Sequence, residues 1–330
     1  MKSGRKQPKP TQEVVPLSVA NISLSTLRSK VANYMQSGLE GAPNTRRAYA
    51  ADLRHFRQWC SEHQQVPAPI SPEALCAYLA FTAETDKWAT IQRRLSAIRK
   101  LHQLQGADFP QKDLHVQTVM EGIRRTIGVR QHQAPAFSVD EFRDVIQSLN
   151  ILDPQQLRDK LVLLLGFTGA FRRSELVALN SEDLSFSSEG VLVRLHRSKT
   201  NQYGDHEEKA LFYHSDAALC PVQTLQCWLG QRPERGPLLV RFRKGMEPGL
   251  VRFTSERLSD KSVARIVKHY LGENYSAHSL RASFVTIAKL NGADDLEVMQ
   301  QTKHKTSAMI QRYTRVGNVR QFNAGKKLGL

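Results

Sequence analysis

The apolar residues of this chain recur mainly at helical spacing. From Leu24 to about Ile127 they describe successive amphipathic helices. Tyr49, Leu53, Phe56 and Cys60 follow i, i+4, i+7 and i+11 behind Asn44 and Thr45, two residues with cap chemistry. Ser71-Pro72-Glu73 predicts a second helix start, with Ser as N-cap and Pro in first position. A third helix is predicted from about Lys87 to Leu104, with Ile91, Leu95, Ile98 and Leu101 turned inward. The period then breaks in a stretch without an acid around Gly128, Ala134 and Pro135, which places a linker at 129–137. Ser138 with Glu141 three residues on reads as a capping box that restarts the helical pattern.

Beyond the linker the pattern is again helical, with one strand-rich interlude. The run from Leu161 to Phe171 is apolar and uncharged, about half a membrane span, and reads as a buried core helix. Val191–Leu195 and Lys209–Tyr213 are short β-prone runs around a polar loop from Ser198 to Glu208, the pattern of a small antiparallel hairpin. Asp294, Asp295 and Glu297 read as a helix start with an acidic first turn rather than a Mg²⁺ site.

Length divides this pattern into two domains, since 330 residues at ~150 per domain give about two. The expected organisation is a disordered basic tail at 1–18, a helical domain at 19–128, the linker, and a second domain at 138–330. Charge changes the picture most. Lys and Arg number 47 against 31 Asp and Glu, a net +16, so a polyanion is the default partner and nucleic acid the commonest one. Between 91 and 130 there are eight Lys/Arg and three Asp/Glu, a density suited to phosphate contacts. A membrane-surface protein would need an amphipathic or lipidated anchor, and none is visible. No apolar stretch follows the basic start as in a secretory signal. Cys60, Cys76, Cys220 and Cys227 form no Cys-x-x-Cys pair, which predicts neither zinc nor disulfides but a reduced, intracellular (cytoplasmic) protein.

Candidate chemistry lies in the second domain. No glycine-rich phosphate loop and no His-Glu-x-x-His occur. Arg172 and Arg173 directly follow the apolar helix, and Glu175 stands three residues after Arg172. Taken alone, that is an ordinary i, i+3 ion pair. Lys199 sits in the hairpin loop, where a lysine usually serves solubility. His278 and Arg281, at i and i+3, share a helical face and can converge on one phosphate. Then come His304 and Tyr313, the latter between Arg312 and Arg315, a setting foreign to a core.

The ordered set Arg172, Lys199, His278, Arg281, His304, Tyr313 resembles the tyrosine recombinase (phage integrase) family of site-specific DNA recombinases. That family carries Gly-x-x-Arg-x-x-Glu, a hairpin Lys, His-x-x-Arg, a His or Trp 23 residues further and a Tyr nine beyond. Here 304 − 281 = 23 and 313 − 304 = 9. Glu175 fixes Arg172, rather than Arg173, as the matching arginine. The family often has Gly before this His, where this chain has Lys303. The stretches around Arg47 and Arg94 also look like the family's helical core-binding domain.

The resemblance implies a mainly α fold. A SAM-like N-terminal core-binding domain and an α-rich catalytic domain with a small antiparallel β-sheet would form a clamp around DNA. It implies that Tyr313 attacks a phosphodiester to give a 3′-phosphotyrosyl link. Arg172 and Arg281 would clamp the phosphate oxygens with Glu175 in support, and His304 would hydrogen-bond the phosphate. His278 would act as base and Lys199 would protonate the leaving 5′-oxygen. No cofactor and no metal are expected. The partners implied are double-stranded recombination sites with inverted-repeat arms, bound by a homotetramer on two duplexes, with accessory proteins left open. Candidate DNA-contacting residues are Arg47, Lys87, Thr90, Arg93, Arg94, Lys100 and, in the second domain, Lys261. A type IB-like topoisomerase, a telomere resolvase or a catalytically silent DNA-binding regulator are the alternatives.

Overall fold

A computed structural model of the chain describes residues 28–31, 43–129, 134–196, 207–232, 235–245 and 251–314. The chain divides into two compact units, Met1–Gln131 and His132–Leu330. The expected tail at 1–18 lies outside the described residues.

In the first unit four labelled helices follow the apolar periodicity: α1 (Pro43–Glu62), α2 (Pro72–Ala83), α3 (Trp88–Gln105) and α4 (Leu114–Ile127). Ser71 caps α2 by accepting from the Ala74 N–H, and Asp113 caps α4. The inward positions of α3 are all buried and meet Phe56, Trp59, Leu75, Tyr78 and Val116 in one core. The start of α1 differs from expectation. It begins at Pro43, whose fixed φ suits a first helical position, so Asn44 and Thr45 lie within the first turn.

The second unit is built around α6 (Pro154–Thr168), whose residues 157 to 166 are all buried. α5 (Val139–Ser148), capped by Ser138, and α7 (Arg173–Ala178) flank it in sequence. Phe137, at the end of the expected linker, is instead buried in this core, and its N–H donates to Ser283 Oγ at 3.0 Å. The expected hairpin forms β2 and β3 of a three-stranded antiparallel sheet in the order β1 (Leu184–Phe186), β2 (Gly190–Leu195), β3 (Glu207–Phe212), with β2 in the middle and Val193 opposite Lys209. α8 (Pro221–Leu229) follows.

A second sheet was not expected from the sequence: β4 (Val240–Lys244) pairs antiparallel with β5 (Val251–Arg257). Its strands alternate Val and Phe with Arg, and the arginines mask a period-two pattern. The chain continues through α9 (Asp260–Leu271), α10 (Ala277–Leu290), α11 (Asp295–Thr302) and α12 (Ser307–Thr314). Asp294 and Glu297 form the capping box that opens α11. Val285, Val298 and Ile310 pack α10, α11 and α12 on one another. No described helix is long and apolar enough to cross a membrane. The four cysteines are free.

Candidate active site

The carboxyl end of α6 organises the site. A helix leaves its last carbonyls without intrahelical partners and its terminus partly negative. Here three successive carbonyls are taken by side chains from distant parts of the second unit. Gln301 Nε2 donates to Thr168 O at 3.2 Å, and Lys209 Nζ donates to Gly169 O and Ala170 O, both at 2.9 Å. Arg281 Nη1 donates to the same Ala170 oxygen at 2.7 Å. Ala170 itself takes a left-handed φ of +46°, unusual for a residue with a Cβ.

Arg172 is the N-cap of α7 and Glu175 its third residue. The Arg172 N–H donates to Glu175 Oε2 at 2.9 Å, and the Arg172 guanidinium also pairs with the same carboxylate. The neighbouring Arg173 instead turns outward to Asp260 at 3.0 Å. From the opposite side, Arg172 Nη2 donates to Lys303 O at 3.4 Å and Arg281 Nη2 donates to Thr302 O. Two guanidiniums thus reach successive carbonyls of the turn that carries His304. That turn requires Lys303 in a left-handed conformation, φ +55° and ψ +41°. Glycine adopts that conformation freely and lysine does so at a cost.

Arg281 is 1 % exposed and His304 6 %, whereas His278, one turn before Arg281 on α10, is exposed. Thr302 Oγ1 donates to Val298 O at 2.6 Å and lies 3.0 Å from His304 Nδ1, which holds the imidazole plane. Burial, then the charges of Arg281, Arg172, His278 and Lys209, hold the His304 pKa down to about 3. The ring is therefore neutral at physiological pH. Glu175 feels the opposite balance: burial pushes its pKa up, but Lys209 and Arg172 outweigh it and keep the carboxylate ionised. The result is a semi-buried group of fixed cations with one internal anion, an arrangement that favours an incoming oxyanion.

The structure therefore brings together Arg172, Glu175, Arg281, His304 and, through its charge, His278. Lys199 lies outside the described residues. The backbone of Tyr313 lies in the last turn of α12, and its side chain is outside the described set. Lys209 was missed by sequence reasoning, which treated it as an ordinary strand residue. The available signal was register: it sits opposite Val193 and shares an inward face with Leu211. Among the described residues no group of three or more His, Cys, Asp or Glu could hold a metal ion.

The candidate DNA-contacting residues are placed less uniformly. Arg47, Lys87 and Lys261 are exposed, and Thr90 and Lys100 are partly buried. Arg93 forms a two-pronged ion pair with the buried Asp52, Nε–Oδ2 2.8 Å and Nη2–Oδ1 3.0 Å. Arg94 turns into the first unit, 3.1 Å from Asp86 and beside His55 and Tyr78. Its charge is committed internally.

A buried Arg281 and a half-buried Arg172, braced by Glu175 and set beside the buried His304 and the exposed His278, define a class of phosphate-directed sites on a mainly helical scaffold. Residues 136–319 match the phage integrase family, and residues 32–105 match the phage integrase N-terminal SAM-like domain. The chain belongs to the phage integrase family. It is 38 % identical over 293 residues to an integrase/recombinase XerD homolog of Selenomonas ruminantium, covering 86 % of this chain and 84 % of that protein. In fold it is similar to XerH site-specific recombinase bound to palindromic difH substrate, with TM-score 0.61, 16 % identity, and coverage of 90 % of this chain and 84 % of that one. It is also similar to a lambda integrase tetramer bound to a Holliday junction, with TM-score 0.53, 14 % identity, and coverage of 89 % and 78 %.

Proposed function

We propose that this chain is a site-specific DNA recombinase that cuts and rejoins strands through a 3′-phosphotyrosyl intermediate on Tyr313. The observation that carries this reading is the meeting of Arg172 and Arg281 at the Thr302–His304 turn, a cationic seat for one phosphate. Charge on the non-bridging oxygens grows towards the pentacoordinate transition state, and preorganised forks stabilise it there by about 3 kcal/mol per donor removed. The Tyr313 oxygen bonds to phosphorus while the bond to the 5′-oxygen breaks. The phenol proton passes to His278, and Lys199 supplies the proton that makes the leaving 5′-hydroxyl. A phenol of pKa about 10 needs such help at neutral pH. His304 lies against the phosphate as a neutral group. The ester stores the energy of the broken bond, so the reverse attack by another 5′-hydroxyl completes exchange.

Exchange between two duplexes calls for four such chains, a homotetramer on recombination sites with inverted-repeat arms. Arg47, Lys87, Thr90, Arg93, Lys100 and Lys261 supply the contacts to DNA, and phosphate neutralisation provides most of the affinity. The test is a duplex bearing the cognate site with a nick that lets the cut end diffuse away. Wild type is expected to accumulate a covalent protein–DNA adduct and Tyr313→Phe none. An undiminished adduct in Tyr313→Phe removes Tyr313 as nucleophile. Absence of any adduct from the wild type favours a silent DNA-binding regulator, and relaxation of supercoiled plasmid without site preference favours a topoisomerase.

A further inference from the structure

We infer that Lys209 is a positioning residue for this site, an internal strut that locks strand β3 to the turn carrying Arg172 and to the carbonyl gripped by Arg281. The inference rests on the recombinase reading for its catalytic consequence and on geometry alone for the strut.

Lys209 is 1 % exposed, an extreme placement for a lysine. Burying an ammonium is costly unless its protons and charge are matched. Here the matching is complete in kind: two carbonyls at 2.9 Å, Glu175 Oε2 at 3.5 Å, and the Phe171 ring with its centroid 4.5 Å from Nζ. Every one of these partners lies between residues 169 and 175, the segment that contains Arg172. Burial, only partly offset by Glu175 and reinforced by Arg281 and Arg172, brings the Lys209 pKa down to about 7. A chain seeking stability alone would place an apolar residue there, as the neighbouring inward positions Val193 and Leu211 do.

Three consequences follow from the contacts. Lys209 and Arg281 together hold the Ala170 carbonyl, whose peptide is kept in its left-handed conformation. Lys209 shares the charge of Glu175, so that this carboxylate does not belong to Arg172 alone and the guanidinium retains attraction for an anion. The strand that holds Lys209 is paired along its length with β2, so the hairpin is registered against the arginine turn directly through Lys209, with Gln301 adding a bridge from Ala210 O of β3 to Thr168 O. Lys199 stands in the sequence between β2 and β3, so Lys209 is a direct charged tie between the proposed proton donor's element and the proposed phosphate clamp.

Three measurements on the full chain decide the matter: hydrogen exchange, DNA binding and single-turnover cleavage of the nicked duplex. In Lys209→Met, amides 170–173 are expected to exchange faster while those of α8 are unchanged. DNA binding should stay within about twofold of wild type while cleavage slows by about 10- to 100-fold, the cost of an ångström-scale misplacement. Lys209→Arg, which keeps charge and donors, should recover most of the cleavage rate. A role in stability alone predicts that Lys209→Met binds and cleaves like wild type once folded, and that outcome overturns the proposal. Equal loss of binding and cleavage overturns it too. Should Lys209→Met not fold, Lys209→Gln is judged by the same criteria. If wild type cleaves no site, the recombinase reading fails by itself, and unchanged exchange at 170–173 still refutes the strut.

Discussion

His304 is neutral because it is buried among the charges of Arg281, Arg172, His278 and Lys209, and this has a consequence for stability. Its folded pKa, about 3, lies below the value of about 6.5 for an unfolded histidine. Above pH 6.5 neither state binds the proton, and the ring makes no pH-dependent difference. As pH falls below 6.5 the unfolded chain takes up a proton that the folded site refuses, so stability is lost progressively towards pH 3. Melting temperature is therefore expected to fall between pH 7 and pH 5.5, and His304→Gln should flatten that fall. An equally steep fall in His304→Gln would assign the effect to other groups, of which His55, also held below its usual pKa by burial and Arg94, is one. The same cations explain why Glu175 is needed inside the site. Without it, Arg172 and Lys209 would face each other with nothing between them.

Among the elements, α6 and α10 set the distance between the two arginines. They touch at Gly166, where a Cβ would fall 2.4 Å from Leu280 Cδ1, and Leu280 directly precedes Arg281. Gly166→Val should therefore push α10 outward, cost about 2 kcal/mol in the unfolding of the second unit by the usual price of overpacking, and slow cleavage of the nicked duplex. Unchanged denaturant midpoint and cleavage would mean that α10 is not seated by this contact.

Elements were also where sequence reading succeeded and failed most clearly. Helix α3 was legible because Ile91, Leu95, Ile98 and Leu101 repeat at one period and face one core. The hairpin β2–β3 was legible through its β-branched and apolar runs. The β4–β5 sheet was not, because its outward arginines dominate two short strands. Spacing made the set Arg172, His278, Arg281, His304 and Tyr313 visible, and the fold assembles the first four around one turn. Lys209 stayed hidden because its importance lies in carbonyls 39 and 40 residues away, which no local pattern records.

For the whole molecule, a net charge of +16 is divided between cations that face solvent and cations consumed inside. The distinction predicts separable phenotypes. Lys87 is exposed, so Lys87→Ala should leave the melt unchanged and reduce the slope of log binding constant against log salt by about one. Arg94 is bound to Asp86 beside Tyr78, so Arg94→Ala should destabilise the first unit and leave that slope nearly intact. The opposite pattern would show that exposure is no guide to which cations meet DNA.

The Ala170 oxygen receives an ammonium from one strand and a guanidinium from a helix 111 residues further along the chain. A ribosome-bound fragment that ends before residue 281 thus has the turn but lacks half of what pins it. The turn is fully held only once residue 281 has been added, so cleaving competence is expected to arrive late in synthesis. Such a fragment is expected to bind DNA without nicking it, which a gel-shift and nicking assay on the 1–280 fragment would check.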